Sequence, residues 1–564
     1  MYFRALAADY DGTLAHHGAM EQTTVDALLR LRRAGRQIIL VTGRELADLR
    51  HIVPDLTLFD RIVAENGGVL YDPGRSSEMT LAPGPPSALV QKLMEHGVEP
   101  LSVGHTIIAT WQPHEAAALA AIAELGLDYQ IIFNKGAVMV LPAGVNKASG
   151  LIAAFHDLGL SKPNVVGVGD AENDRAFLVG CGASAAVANA LPTLRESCDI
   201  TLMGDHGAGV GELIDRLLKE DFGLIPPSRR GVSLGIDAHA NHTWLTPQHS
   251  LLIIGGSGSG KSRFATALVE RMIDKNFSVC LLDPEGEYES LDRMVAIGDQ
   301  MQAGSIDEAL RLLSKGMNVA FGTVPINLDQ RQCLFERLQP RIETLRKTSG
   351  RPHWMVADEA HHYLSASCIP TSEIVCQAHA GLVLATITPD WLHPAVLGAM
   401  DYVIALGTTA FDSIRKFGGA SIASKYAQPR LAADEALLWS RAPPHGPRRL
   451  QISGPRHHHE RHKGKYAIGD VGEAHSFYFG WSPNGQIFRA RNLAEFLSKA
   501  DHLPEEIWLR HLHAGDFAAW FLHVIRDDEL AKRAEEIAED ANLGAKESRE
   551  QIAATIRDRY TITK

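Results

Sequence analysis

The chain has 564 residues and a mass of 61.4 kDa, with 55 Lys and Arg against 67 Asp and Glu and a formal charge of −12. At roughly 100–200 residues per domain, about three to five units are expected, and 45% hydrophobic with 22% charged residues excludes wholesale disorder. The net acidity argues against a surface that coats nucleic acid throughout, while leaving room for a local basic channel.

Six cysteines (Cys181, Cys198, Cys280, Cys333, Cys368, Cys376) form no C-x-x-C pair, which predicts a reduced, cytoplasmic setting. The opening MYFRALAADYDGT reaches Asp9 and Asp11 before any stretch apolar enough for a signal peptide. No run of about 18 apolar residues follows, so a soluble protein with no membrane partner is expected.

Residues 3–8 read as a buried strand, a helical pattern runs to Gly35, and RQIILVTGR is the next apolar run. That alternation predicts a parallel α/β sheet. From Pro73 to about Pro142 the order changes to a helix (86–96), two strands (99–104, 106–111), a helix (114–125) and two more strands (128–133, 136–141). This αββαββ series predicts an inserted α+β cap at about 73–146. Alternation resumes at Lys147 and the strand NVVGVGD (164–170), closing a Rossmann-like domain over 1–222, and GLIPPSRRG (223–231) reads as a linker. A second α/β domain, RecA-like, is expected over 232–440, with strands at 251–254, 279–283, 294–299, 318–324, 354–358, 382–386 and 402–406. Residues 441–470 are basic and His-rich and read as a tether. His457, His458, His459 and His462 there suit either Zn²⁺ or anion binding or a solvated linker. The last domain, 471–564, opens with a hairpin turning at Asn484-Gly485 and continues as helices, with Trp508, Phe517, Trp520 and Phe521 as core.

Four strand or helix ends in the first domain carry chemistry: Asp9 and Asp11 in DYDGT, Thr42 in VTGR, Lys147, and Asp170, Asn173 and Asp174 in GDAEND. Open α/β sheets bind ligands at the carboxyl ends of their strands. This constellation resembles the haloacid dehalogenase superfamily of phosphatases over about 1–222, and ENGG at 65–68 with the placement of the insert looks like its Cof-type branch. The resemblance implies that Asp9 attacks phosphorus to form an aspartyl phosphate and that Asp11 is the general acid and base. It implies that Thr42 and Lys147 hold the phosphoryl oxygens, and that Asp9, the Asp11 carbonyl, Asp170 and Asp174 hold Mg²⁺, with Asn173 orienting the cluster or the phosphate. Lys135 in the cap could touch an anionic substrate or be a solvated turn lysine; Arg44 could bind substrate or pair with the cap.

Gly255-Gly256-Ser257-Gly258-Ser259-Gly260-Lys261-Ser262 matches G-x-x-x-x-G-K-[ST] between the apolar LLII and an amphipathic helix. Its backbone N–H groups suit a triphosphate, with Lys261 on the β and γ phosphates of ATP and Ser262 on Mg²⁺. In HWMVADEAHHYL, Asp358 ends a buried strand near the metal and Glu359 suits the polariser of attacking water. The DPEGEY and DEAH segments resemble the HerA/FtsK group of translocating ATPases over about 229–440. That resemblance places Glu285 near the nucleotide and implies a hexamer whose sites are completed by a neighbour's arginine, for which Arg415 and Arg430 are candidates by position. Thr386-Ile387 stands where the group commonly has Thr-Gln. The expectation is a bifunctional Mg²⁺-dependent phosphatase and oligomeric ATPase, with a phosphorylated small molecule or nucleic-acid end as substrate. The alternatives are an end-healing kinase/phosphatase and a phosphatase assembled by a regulatory ATPase module.

Overall fold

The computed structural model describes residues 1–256, 258–288, 291–299, 301–367, 380–418, 431–442, 446–456, 466–467, 473–481, 487–525, 527–540 and 543–560. Its contacts divide the chain into two units: Met1–Leu281, Ile306–Val319 and Leu328–Arg456 in the first, and Leu282–Ser305, Ala320–Asn327 and His457–Lys564 in the second. No helix among the described residues is long and apolar enough to cross a membrane.

In the first unit, β1 (Ala5–Asp9), β2 (Gln37–Val41), β3 (Arg61–Ala64), β4 (Val69–Asp72) and β5 (Ser77–Thr80) form five strands of an eight-stranded sheet. Every residue of β1 is buried, because strands flank it and helices cover both faces, so its run is apolar without alternation. The β4–β5 hairpin pairs antiparallel with β3 and continues the core sheet. The insert therefore opens after Thr80 rather than at Pro73. It holds β6 (Ser102–Val103), β7 (Ile108–Trp111), β8 (Tyr129–Asn134) and β9 (Ala137–Pro142) in the order β6-β7-β9-β8, with helices Ser87–Glu95 and Glu115–Glu124 packed on it. The core resumes with β10 (Val165–Gly169), β11 (Ala183–Ala186) and β12 (Ile200–Thr201), giving the order β12-β11-β10-β1-β2-β3-β4-β5. Asp9, Thr42 and Asp170 all lie at the carboxyl edge of this sheet.

The stretch 223–231 is packed rather than extended. It forms the short helix Pro227–Arg230; Arg229 pairs with Asp199 at 2.7 Å, Arg230 lies over the Phe222 ring, and Lys275 bonds the carbonyl oxygens of Ser228 and Gly231. Beyond it come β13 (Val232–Ile236), β14 (His242–Leu245), β15 (Leu251–Ile254), β16 (Val279–Asp283), β17 (Met294–Ile297, in the second unit), β18 (Asn318–Gly322), β19 (Trp354–Ala357), β20 (Leu382–Thr386), β21 (Tyr402–Ala405), β22 (Glu435–Ser440) and β23 (Arg448–Gln451). In the first unit their order is β14-β13-β23-β22-β21-β15-β20-β19-β16, with β15 parallel to both β20 and β21. β23 corrects the expected tether: Arg448–Gln451 pairs with β22 and buries Leu450 completely. His457, His458, His459 and His462 lie outside the described residues.

Both α/β portions of the first unit share a polar junction at the amino ends of their strands. Arg351 donates to the Leu160 carbonyl and to Ser161 Oγ, His353 Nε2 lies 3.0 Å from Asn164 Oδ1, and Arg4 Nη2 donates to the Arg346 carbonyl at 2.6 Å. Gly350 makes room for this contact. Its φ is +76°, and a Cβ there would come within 2.6 Å of Asn164 Oδ1.

In the second unit, β24 (Phe477–Trp481) and β25 (Ile487–Ala490) form the expected hairpin, whose Asn484-Gly485 turn lies outside the described residues. Helices Leu493–Ala500, Glu505–His513, Asp516–Trp520, Asp528–Glu539 and Ala545–Arg559 follow. Trp508, Phe517, Trp520 and Phe521 are buried together, and the Trp508 and Trp520 indole N–H groups donate to Ser548 Oγ and the His475 carbonyl, both at 2.9 Å. Each indole is thus satisfied inside the core, as a structural aromatic requires.

Candidate functional site

Lys147 is the pivot of the first site. Asn146 caps its helix by accepting from the Ala148 and Ser149 N–H groups while its own N–H donates to Ser149 Oγ, which fixes the first turn. From there the buried ammonium donates to Asp9 Oδ1 and to Asp174 Oδ1, each at 2.6 Å. Asp174 Oδ2 accepts from the Asp170 and Ala171 N–H groups at 2.8 and 2.9 Å, so the end of β10 is folded around that carboxylate. Asp170 takes the Thr13 hydroxyl on Oδ1 at 3.1 Å and the Lys135 ammonium on Oδ2 at 2.5 Å. Thr42 is buried, and its Oγ1 accepts from the Arg44 N–H at 3.1 Å. Asp11 is gripped by the Arg44 guanidinium, Nε at 2.7 Å and Nη2 at 2.8 Å.

Burial, followed by the nearby Asp174 carboxylate, pushes Asp9 up to about 8 against the opposing pull of Lys147. Burial depresses the Lys147 ammonium, but Asp174 and Asp9 outweigh it and hold its pKa above the ordinary value. Asp9, Asp170 and Asp174 present carboxylate oxygens within 4.8 Å of one another. Three buried acids around one buried lysine form a hard oxygen donor set with excess negative charge, which fits Mg²⁺.

The structure thus brings Asp9, Lys147, Asp170 and Asp174 together. Lys135, half-exposed at the turn, has its ammonium bound to Asp170. Arg44 pairs with Asp11 rather than with the cap. Sequence reasoning missed Asn66 and Glu65. Asn66, fully buried with φ +52°, accepts from Asn173 Nδ2 at 3.2 Å, while its own Nδ2 has no partner among the described residues. Glu65, also buried, accepts from the N–H groups of His105, Thr106 and Ile107, tying the cap to the core. The ENGG segment marked the place, but only the left-handed backbone turns these side chains inward.

In the second site Lys261 opens the helix Lys261–Asp274 after Gly258 and Gly260, whose φ values of +78° and +88° lie in the region glycine favours. Its ammonium pairs with Asp358 Oδ1 at 3.4 Å and with Glu359 Oε1. Burial lowers the Lys261 pKa, but Asp358 and Glu359 outweigh it and the net direction is upward. Ser262 follows in the first helical turn. Ser257 lies outside the described residues. His361 Nδ1, another residue not anticipated, lies 3.5 Å from Glu359 Oε2 and 3.3 Å from Thr386 Oγ1, its ring 4.8 Å from that of Trp391. Burial, helped by Lys261, pushes His361 down to about 4. Glu285 lies in the second unit, where its N–H and those of Gly286 and Tyr288 donate to the Asp283 carboxylate. Burial pushes Asp283 up to about 6. Arg415 is exposed and lies 3.5 Å from Asp412; Arg430 lies outside the described residues.

Residues 6–110 and 114–214 match the haloacid dehalogenase-like hydrolase family, and residues 244–350 match the central domain of helicase HerA. A phosphoglycolate phosphatase of Methanothermobacter thermautotrophicus is 29% identical over 226 residues, spanning 38% of this chain and 99% of the relative. A phosphoglycolate phosphatase 2 of Saccharolobus solfataricus is 28% identical over 222 residues, spanning 39% of this chain and 94% of the relative. Among solved structures, a haloacid dehalogenase-like hydrolase from Bacteroides thetaiotaomicron is 16% identical, spanning 38% of this chain and 99% of its own, with a TM-score of 0.35.

Proposed function

Since the chain joins a haloacid dehalogenase-like hydrolase domain to a HerA-type central domain, we propose that it hydrolyses phosphomonoesters at the first site and ATP at the second. The observation that carries the first half is the Lys147 ammonium 2.6 Å from both Asp9 and Asp174 in a buried acid cluster. Asp9 attacks phosphorus as the ester P–O bond breaks, and Asp11 gives its proton to the departing alkoxide. Water then attacks the acyl phosphate, Asp11 takes the proton from it, and Asp9 is regenerated. To act, Asp11 exchanges the Arg44 fork for the ester oxygen. Lys147 and Thr42 balance the charge that spreads over the phosphoryl oxygens. Asp9, Asp170 and Asp174, with the Asp11 carbonyl, would hold Mg²⁺, which supplies further neutralisation of those oxygens when bound. Asn173, held to Asn66, orients the acid cluster. The substrate class is a small phosphorylated hydroxy acid, the chemistry for which the relatives are named.

At the second site Lys261 leaves Asp358 and Glu359 for the phosphates of ATP. Ser262 and Asp358 would hold the accompanying Mg²⁺, and Glu359 polarises water. Gly255, Gly258 and Gly260 keep the loop backbone open to the phosphates. The working form is an oligomer, a hexamer by likeness to HerA, in which Arg415 of a neighbour completes the site and nucleic acid is the polymer to test.

Phosphate release from sugar phosphates, 2-phosphoglycolate, nucleotides and phosphorylated DNA or RNA, measured beside ATP hydrolysis, tests both halves. Asp9→Asn abolishes only phosphomonoester turnover and Lys261→Ala only ATP turnover. Unchanged phosphomonoester turnover in Asp9→Asn would overturn the first assignment.

A further inference from the structure

The cap's cationic inventory is small: residues 81–146 contain two lysines and no arginine. Lys92 pairs with Glu95 and Glu124 at 3.4 and 3.0 Å on the cap itself. Lys135 is the one that reaches the core. It stands at the tip between β8 and β9 with φ +49°, followed by Gly136 at +87°. A non-glycine residue in that region costs energy and persists where its surroundings hold it.

What holds it is the acid cluster. Its ammonium lies 2.5 Å from Asp170 Oδ2 and 3.2 Å from the Asp11 carbonyl oxygen. A Cβ on Gly12 would come within 2.4 Å of both Lys135 Nζ and Asp170 Oδ2, so the loop leaves room for this ion pair. Asp170's other oxygen is already taken by Thr13. The cap therefore lays a positive charge on the same oxygens that a divalent cation would use. One carboxylate oxygen does not serve an ammonium and a close-held cation together, because the two charges repel at contact distance. When the cation takes Asp170, the ammonium is left at the seam between cap and core without its anion. A lysine is a mobile, strongly hydrated point charge that finds another.

We propose, on the footing of the phosphomonoesterase reading, that Lys135 is a specificity residue: it pairs with Asp170 before the divalent cation arrives and with a carboxylate on the substrate's leaving group afterwards. The preferred substrates are phosphomonoesters of short hydroxycarboxylic acids.

The test compares 2-phosphoglycolate with 2-hydroxyethyl phosphate, which is of similar size and lacks the carboxylate, in the full-length protein and in Lys135→Met and Lys135→Arg. The ratio of kcat/KM values for the two esters falls about 10–100-fold in Lys135→Met, the range of a hydrogen bond to a charged group. The loss resides in KM for the glycolate, and Lys135→Arg restores part of it. Calorimetric titration with Mn²⁺ in the absence of substrate shows tighter binding in Lys135→Met, since the competing ammonium is gone. An unchanged ratio overturns the specificity role, and unchanged Mn²⁺ affinity overturns the displacement. If the wild type hydrolyses neither ester nor any other phosphomonoester, the underlying reading fails. Turnover of both with a ratio indifferent to Lys135 sinks this inference alone.

Discussion

Where β19 ends, the backbone turns left-handed at Glu359, φ +43°, and the turn sets His361 between the Glu359 carboxylate and the Thr386 hydroxyl. Because burial holds this imidazole down to about 4, it is neutral across the working range and can donate on one nitrogen while accepting on the other. His361→Ala should lower kcat for ATP by up to ~100-fold through misplacement of Glu359, with a smaller change in KM. Steady-state ATPase kinetics check this; a loss confined to KM would exclude positioning. At this scale the places of Asp9, Asp170 and Asp358 at strand ends and of Lys147 and Lys261 at helix starts were legible. His361, Asn66 and the true partner of Lys135 were not. Their directions depend on positive φ values and on a cap folding back across more than thirty residues of sequence from Asp170, and no spacing rule encodes either.

Among the elements, the buried parallel strands could be read directly because two covered faces demand unbroken apolar runs. β22 and β23 were harder. β23 is four residues of alternating burial in a basic, proline-containing stretch, and its pairing with β22 depends on register that the segment alone does not carry. The packed helix at 227–230 hid in the same way behind Pro and Gly. A pH dependence belongs at this scale too. His353, just before β19, is buried with Nδ1 accepting from the Ser278 N–H and Nε2 facing Asn164 Oδ1 at 3.0 Å. Burial, then Arg351 and Arg346, push it down to about 3. A depressed folded-state pKa means that the stabilisation is complete above the unfolded value of about 6.5 and drains away as pH falls from there toward about 3. Thermal melts between pH 7 and 4 should therefore drop more steeply for the wild type than for His353→Gln. Parallel curves would contradict this.

At the scale of the whole molecule, the hydrolase-like portion and most of the HerA-type portion fall into one contact unit, whereas the second unit holds the aromatic helical portion together with Leu282–Ser305 and Ala320–Asn327. Hydrolysis at each site should nonetheless respond to its own variants, and an oligomer that forms with ATP and fails in Lys261→Ala, read by mass photometry, would support the ring. Arg351 at the shared junction carries a further consequence. Its guanidinium finds three described acceptors, the Ser314 carbonyl on its own side and the Leu160 carbonyl and Ser161 Oγ on the other. A gene split between codons 222 and 232 would leave that cation held to its partners on the other side only by association of the two fragments, and the hydrogen bonds to a charged group favour that association. The two fragments, translated separately in one cell, should therefore seek each other out and co-purify as a nicked pair, while each alone should precipitate or melt early.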